Sequence, residues 1–170
     1  MKKLFLTLAM TMVIGSVATV FAADTTKELV NNTGETKVEY TMGQSYTIVI
    51  PVDFNLEAKG KTVTREVSAS NVFIGYNKKL QVKIKSDNAS GTEWFLKEND
   101  DNKLEYSIES GDTTIVTNDV VLEIDAGDTD GGKSVLEFAL VSDVTKAGTY
   151  QDTLTFTAEL ATKWVYDLIN

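Results

Sequence analysis

The chain has 170 residues, a formal net charge of -9 at pH 7, and neither histidine nor cysteine. An acidic chain whose single arginine is Arg65 offers no basic patch for phosphate groups, which excludes nucleic-acid binding. The absence of histidine and cysteine excludes Ser-His and Cys-His nucleophilic pairs and the common zinc ligand sets, so we predict that the protein is not an enzyme.

The first 22 residues have the pattern of a secretory signal peptide. Lys2 and Lys3 precede an apolar run over residues 4–21, which ends in the small residues Ala22 and Ala23. We predict cleavage after Ala22 and a secreted protein, extracellular or at the cell surface. The alternative is an uncleaved membrane anchor, for which the Thr and Gly residues within the run make the segment a marginal span.

Cleavage leaves 170 - 22 = 148 residues with a net charge of -9 - 2 = -11, because Lys2 and Lys3 are removed. A chain of this length fits one domain. No second long apolar stretch follows, so we predict no membrane span after cleavage.

Residues 23–36 are polar and are predicted to form a flexible lead-in, and residues 37–170 a single domain. Alternation begins at Lys37, where Val38, Tyr40 and Met42 share one face of a predicted strand. The next strand places Tyr46, Ile48, Ile50 and Val52 on one face. Pro51, the only proline, cannot donate to a ladder, so this end of the strand should lie at an edge or leave the sheet.

The rest of the chain reads as short strands separated by turn signals, with no convincing helix. The predicted strands cover residues 62–69, 80–85, 92–97, 104–108, 115–116, 120–124, 135–141 and 150–160. Many short strands at this spacing predict an all-β fold, and a two-sheet antiparallel β-sandwich of the immunoglobulin-like kind fits best. An enclosed barrel is the alternative.

The clearest strand lies between Lys146 and Leu160. Its inward face carries Tyr150, Leu154, Phe156, Ala158 and Leu160, with Asp152 as the only charge among them; polar residues alternate with these. This strand should form part of the core.

The sharpest polar cluster is the loop over residues 125–132. Asp125, Asp128 and Asp130 are oxygen donors of the type that calcium prefers, so the loop is a candidate for weak calcium binding. The competing interpretation is an acidic hairpin loop, since Asp and Gly are common turn residues. We predict no metal site and no other cofactor.

Two tryptophans are candidates for either core or contact roles. Trp94 lies beside Phe95 and Leu96 and is predicted to be buried. For Trp164, near the end of the sequence, the pattern does not decide between burial and exposure. Trp164, Tyr166 and Leu168 share one face of an alternating tail.

Trp94, Phe95 and Leu96, followed much later by Tyr150, Leu154, Thr155 and Phe156, resemble the paired motifs of the WxL surface domain of Gram-positive bacteria. Phe156 stands where that family has Trp. The resemblance implies a β-sandwich, export, and non-covalent attachment to the cell wall or to other surface proteins. It also implies that these seven residues take part in wall or partner binding.

Two functions therefore follow from the sequence. The first is a non-enzymatic cell-surface module that is associated with the cell wall or adhesive. The alternative is a structural subunit of a surface fibre, which self-assembles when one copy lends a strand to the next. In the alternative, residues 23–35 or 163–170 would fill a neighbour's open edge.

Overall fold

A computed structural model describes residues 39–163 and the backbone of residues 11–14; the statements below concern these residues. They contain ten strands and no helix. The strands are β1 (Thr11–Ile14), β2 (Ser45–Val49), β3 (Thr62–Phe73), β4 (Lys78–Ser86), β5 (Trp94–Lys97), β6 (Lys103–Ser110), β7 (Thr113–Thr114), β8 (Val120–Asp125), β9 (Gly132–Leu140) and β10 (Leu154–Thr162).

The strands form two antiparallel sheets. The large sheet has the order β1-β2-β3-β9-β6-β5, with β7 paired to β6, and the small sheet has the order β10-β4-β8. The prediction of an all-β, two-sheet antiparallel sandwich of the immunoglobulin-like kind is confirmed. The alternative of an enclosed barrel is wrong, because the strands separate into two sheets that do not close on each other.

Alternating side chains from both sheets build one core between them. Val67 of β3 and Leu136 of β9 face it from the large sheet, and Leu80, Val82 and Ile84 of β4 face it from the small sheet, all with no exposed area. This follows from the period of two in these segments, which sends every second side chain to the same face. Trp94 is buried as predicted, and its Nε1 donates a hydrogen bond of 2.8 Å to the Ile115 carbonyl.

Pro51 marks the point at which the chain leaves the large sheet, as predicted. β2 ends at Val49, and residues 50–56 belong to neither sheet. Phe54 packs edge-on against Phe138 with ring centroids 4.8 Å apart, and the Arg65 guanidinium lies 4.6 Å from the centre of the Phe54 ring. Residues 50–56 therefore lie against the inner side of the large sheet.

The predicted strand over residues 37–42 is wrong for the residues that the structure describes. Residues 39–44 are not a strand, and the Tyr40 and Met42 side chains are 77% and 49% exposed. Alternation favours a strand only where a neighbouring strand supplies hydrogen-bond partners, and this segment has none of the described strands beside it. Lys37 and Val38 lie outside the described residues.

Three other boundaries differ from the predicted ones. β3 continues to Phe73, and the predicted strand at residues 115–116 is replaced by the shorter β7 just before it. β10 begins at Leu154, so Tyr150 lies ahead of the strand, where only Gln151 forms a single bridge with Lys97. The predicted tail strand with Trp164 lies outside the described residues.

β1 falls within the predicted signal peptide. It pairs antiparallel with β2, with Thr11 opposite Val49 and Ile14 opposite Tyr46. Removal of residues 1–22 would therefore take away the partner of the outer edge of β2. Among the described residues, no helix is long and apolar enough to cross a membrane.

Candidate functional site: the edge of the last strand

β10 presents one complete edge without a partner. Along its whole length it pairs with β4, from Leu154 opposite Ser86 to Thr162 opposite Lys78. Within residues 39–163, no strand pairs with its other edge. Nine residues therefore present unpaired backbone donors and acceptors along this side, which is the template that strand addition requires.

The inward face of β10 is incompletely covered. Leu80, Val82 and Ile84 of the neighbouring β4 have no exposed area, whereas the inward residues of β10 are only partly buried: Leu154, Phe156, Ala158 and Leu160. β8, the other edge of the small sheet, does not share this property, since its Val121, Leu122 and Ile124 are buried. The core is thus closed at β8 and open at β10.

A cavity of about 550 Å³ adjoins the first residues of β10. One wall is the segment 50–56 and the opposite wall is residues 150–154 with Phe156. Leu96, Tyr106 and Phe138 of the large sheet also line it. The space lies between an edge strand and a segment that has left its sheet at Pro51, so it is open because no strand joins the two.

Asp152 fixes the polar end of this cavity. Its carboxylate accepts hydrogen bonds from the Tyr106 hydroxyl at 2.5 Å, from Ser86 Oγ at 2.8 Å and from the Thr153 backbone N–H at 2.8 Å. Burial, and then the hydrogen bond to Asp152, raise the pKa of Tyr106 far above its usual value near 10. Tyr106 is therefore a neutral donor that ties the start of β10 to the large sheet.

The structure brings together four of the seven WxL-like residues. Leu96, Tyr150, Leu154 and Phe156 line the cavity. Trp94 is buried behind it, and Phe95 is buried with the Lys103 ammonium 4.0 Å from its ring centre. Thr155 points outward and is exposed. The motif residues thus divide into a cavity-lining group and residues that pack or face solvent.

Sequence reasoning did not identify the other side of the cavity. Ile50, Phe54 and Leu56 line it from the segment after Pro51, and Tyr106 does so from β6. Two signals in the sequence point this way: the single proline within an apolar stretch, and Asp152 as the single charge on the inward face of the last strand.

The acidic loop is not a hairpin, because β8 belongs to the small sheet and β9 to the large sheet. Asp125 Oδ1 pairs with Lys163 Nζ at 2.8 Å, and the Thr129 carbonyl accepts a hydrogen bond of 3.0 Å from the Val72 backbone N–H. Within the described ranges, no three acidic side chains come together as a group that could hold a metal ion. Weak calcium binding at Asp125, Asp128 and Asp130 stays a prediction.

No family model matches the sequence, and no curated protein matches it. Among solved structures, the chain is similar to a chain in a structure described by the words "Chaperone-tip adhesin complex is vital for synergistic activation of CFA/I fimbriae biogenesis". The identity is 18%, the TM-score is 0.49, and the match covers 69% of this chain and 42% of the other. The chain therefore spans less than half of the length of the one it matches.

Proposed function

We propose that this protein is a non-enzymatic, exported subunit that associates with other protein chains by accepting a β-strand along the open edge of β10. The observation that carries the proposal is the contrast within the small sheet. The inward side chains of β4 are completely buried, whereas those of β10 are covered on one side only. Of the two functions predicted from the sequence, this geometry favours the assembling subunit.

The edge lacks the features that usually prevent strand addition. Proteins protect exposed edges with proline, lysine, bulges or a covering loop. The nine residues of β10 contain neither proline nor lysine, and their register with β4 is continuous. Glu159, the one charge in the strand, forms an ion pair with Lys83 of β4. A strand of suitable pattern can therefore extend the small sheet without first displacing anything described.

The apolar contribution supports the same direction. Complete burial of a large apolar side chain contributes about 1.5 to 3 kcal/mol relative to full exposure. Leu154, Phe156 and Leu160 are already partly buried, so each would add a fraction of that amount when an incoming strand covers it. The backbone hydrogen bonds along β10 supply the rest and do not depend on the incoming sequence.

The test uses the chain from Ala23 to Asn170 and a pair of adjacent substitutions. Leu154→Lys places a charge on the inward face at the cavity, whereas Thr155→Lys places it on the exposed face of the same strand. We expect the unsubstituted chain and Thr155→Lys to form concentration-dependent oligomers by size exclusion with light scattering, and Leu154→Lys to remain monomeric. Circular dichroism establishes that each variant is folded.

Hydrogen exchange covers the case in which Leu154→Lys does not fold. In the unsubstituted chain, assembly should protect the backbone amides of β10 more than those of β8. A chain that stays monomeric at all accessible concentrations, with unchanged exchange in β10, would contradict the proposal.

A cell-wall or adhesive module is the second candidate. It is favoured by the meeting of Leu96, Tyr150, Leu154 and Phe156, four WxL-like residues, at one cavity. A pull-down with purified cell walls separates the two. Retention of monomer by walls, abolished by Leu154→Lys and kept by Thr155→Lys, would assign the cavity to wall binding.

A further inference from the structure

A segment near the start of the described chain has the pattern of a strand but no strand beside it. In residues 30–42, called here the N-terminal segment, the even positions are uncharged: Val30, Asn32, Gly34, Thr36, Val38, Tyr40 and Met42. The odd positions carry all its charges, Glu35, Lys37 and Glu39. This period of two is typical of a strand with one face on a core and the other in solvent.

In the single chain, the apolar face of this segment remains in solvent where the structure describes it. Tyr40 is 77% exposed and Met42 is 49% exposed, and residues 39–44 pair with no described strand. The edge of β10 is in the complementary situation, with a half-covered apolar face and no neighbour. The two features occur in the same molecule and do not meet within it.

We propose that the N-terminal segment of a second copy of this chain occupies the edge of β10. The inference rests on the proposed function and names its partner. The lengths agree, because β10 has nine residues and the last nine residues of the segment, 34–42, span about 30 Å when extended, at roughly 3.3 Å per residue. Val38, Tyr40 and Met42 would cover the inward residues of β10, and Glu35, Lys37 and Glu39 would face solvent beside Thr155 and Thr157.

β10 is a better acceptor than the outer edge of β2, which loses β1 if the leader is removed. β2 has five residues against nine in β10, and its inward Ile48 is already buried. Only β10 combines a long edge with an apolar face that awaits cover.

Each copy carries one such segment and one such edge, so the contact is head-to-tail. A heterologous contact of this kind continues from copy to copy into an open chain unless a ring closes. A variant that lacks one of the two features can still use the other, which makes mixing experiments decisive.

The experiment compares Tyr40→Lys with Thr41→Lys in the chain from Ala23 to Asn170. Both positions are exposed, so neither change should affect folding by more than about 0.5 kcal/mol. Only Tyr40 lies on the apolar face of the N-terminal segment. We expect Tyr40→Lys to reduce the oligomer fraction at least ten-fold at a fixed concentration and Thr41→Lys to leave it unchanged, by size exclusion with light scattering.

Mixing then tests the direction of the contact. Tyr40→Lys keeps an intact β10 edge, and Leu154→Lys keeps an intact N-terminal segment, so an equimolar mixture should form dimers and stop there. Full assembly by Tyr40→Lys, together with loss of assembly in Leu154→Lys, would overturn this inference and leave the proposed function standing. In that case Trp164→Lys, which changes the tail, identifies the alternative donor. Absence of assembly in the unsubstituted chain would overturn both.

Because the chain has no cysteine, proximity can be measured directly. One preparation carries Thr41→Cys, a second carries Thr157→Cys, and a short bismaleimide links thiols that lie within its reach. We expect a cross-linked heterodimer in the mixture, and none above background when Thr113→Cys, an exposed position of β7, replaces Thr157→Cys. Equal yields from both mixtures would contradict the placement of the segment on β10.

Discussion

The Tyr106 hydroxyl and the Asp152 carboxylate form the most consequential single contact of the site. The two residues lie 46 positions apart, and their 2.5 Å hydrogen bond joins β6 of the large sheet to the start of β10 in the small sheet. Tyr106 is 3% exposed, so its ring packs in the core while its hydroxyl reaches the polar end of the cavity. Asp152, which the sequence shows only as an isolated inward charge, is satisfied by this donor and by Ser86.

We expect Tyr106→Phe to lower the free energy of unfolding at pH 7 by about 1.5 to 3 kcal/mol, because a hydrogen bond to a charged group is lost. It should also change the pH dependence. The pKa of Tyr106 is raised in the folded chain, so above pH 10 the unfolded chain loses this proton while the folded chain keeps it. Stability therefore falls as the pH rises past 10, by up to about 1.4 kcal/mol per pH unit from this group.

Urea unfolding at pH 7, 10 and 11 measures both effects. Tyr106→Phe should lose less stability between pH 10 and 11 than the unsubstituted chain does. Tyr76→Phe serves as the control, since Tyr76 is 82% exposed and should leave the pH profile unchanged. Identical alkaline slopes for all three chains would contradict the assignment.

At the scale of elements, the connection from β8 to β9 is fixed by its glycines. Gly131 has φ of +83°, and a Cβ built there would lie 2.0 Å from the Ala69 carbonyl oxygen of β3. Gly127, with φ of +106°, has nothing within 4 Å of such a Cβ. Both positions need the left-handed region, but only Gly131 needs the absence of a side chain for the loop to lie against β3.

The pair offers a controlled comparison of backbone strain and steric contact. Gly127→Ala should cost about 1 to 2 kcal/mol, the strain of a positive φ in an L-residue. Gly131→Ala should cost clearly more, because β3 must also move away from the added methyl group. Thermal and urea unfolding of the two variants give the difference, and equal losses would show that the loop relaxes away from β3 without cost.

For the whole molecule, the open question is which edges the exported chain exposes. The large sheet ends at β1, which lies in the predicted leader, and the small sheet ends at β10. A chain without residues 1–22 would thus present free edges at both sheets. The two differ in length and in how much of the core they leave uncovered.

Removal of the leader should act locally. We expect the backbone amides of β2 to exchange with solvent faster in the chain from Ala23 to Asn170 than in the full chain, because the four residue pairs between β1 and β2 are lost. The amides of β8 provide the reference and should not change. Equal exchange of β2 in both chains, measured by mass spectrometry, would show that β1 does not protect this edge.

The strands of the sandwich were predictable where a local pattern and a buried face coincide. β3, β4, β8 and β9 all lie where alternation predicted them, since burial of every second side chain is encoded in the residues themselves. Trp94 was predictable for a related reason, because a large aromatic residue beside Phe95 and Leu96 gains most from the interior.

Alternation alone could not decide which patterned segments obtain a partner. Val38, Tyr40 and Met42 alternate as clearly as Leu80, Val82 and Ile84, yet Tyr40 and Met42 are exposed and the β4 residues are completely buried. Strand pairing is a contact between distant parts of the chain, so a sequence window contains the face of a strand and not its neighbour.

The candidate site was hidden for the same reason. Leu96, Tyr106, Phe54 and Leu154 come from four separate segments and meet only because residues 50–56 leave one sheet while β10 joins the other. The sequence by itself determined the all-β class, the period of each strand and the residues that turn inward, all of which depend on neighbours along the chain. The tertiary structure alone decided that the edge of β10 is free and its core face half covered, because that depends on which strands are placed beside it and which are not.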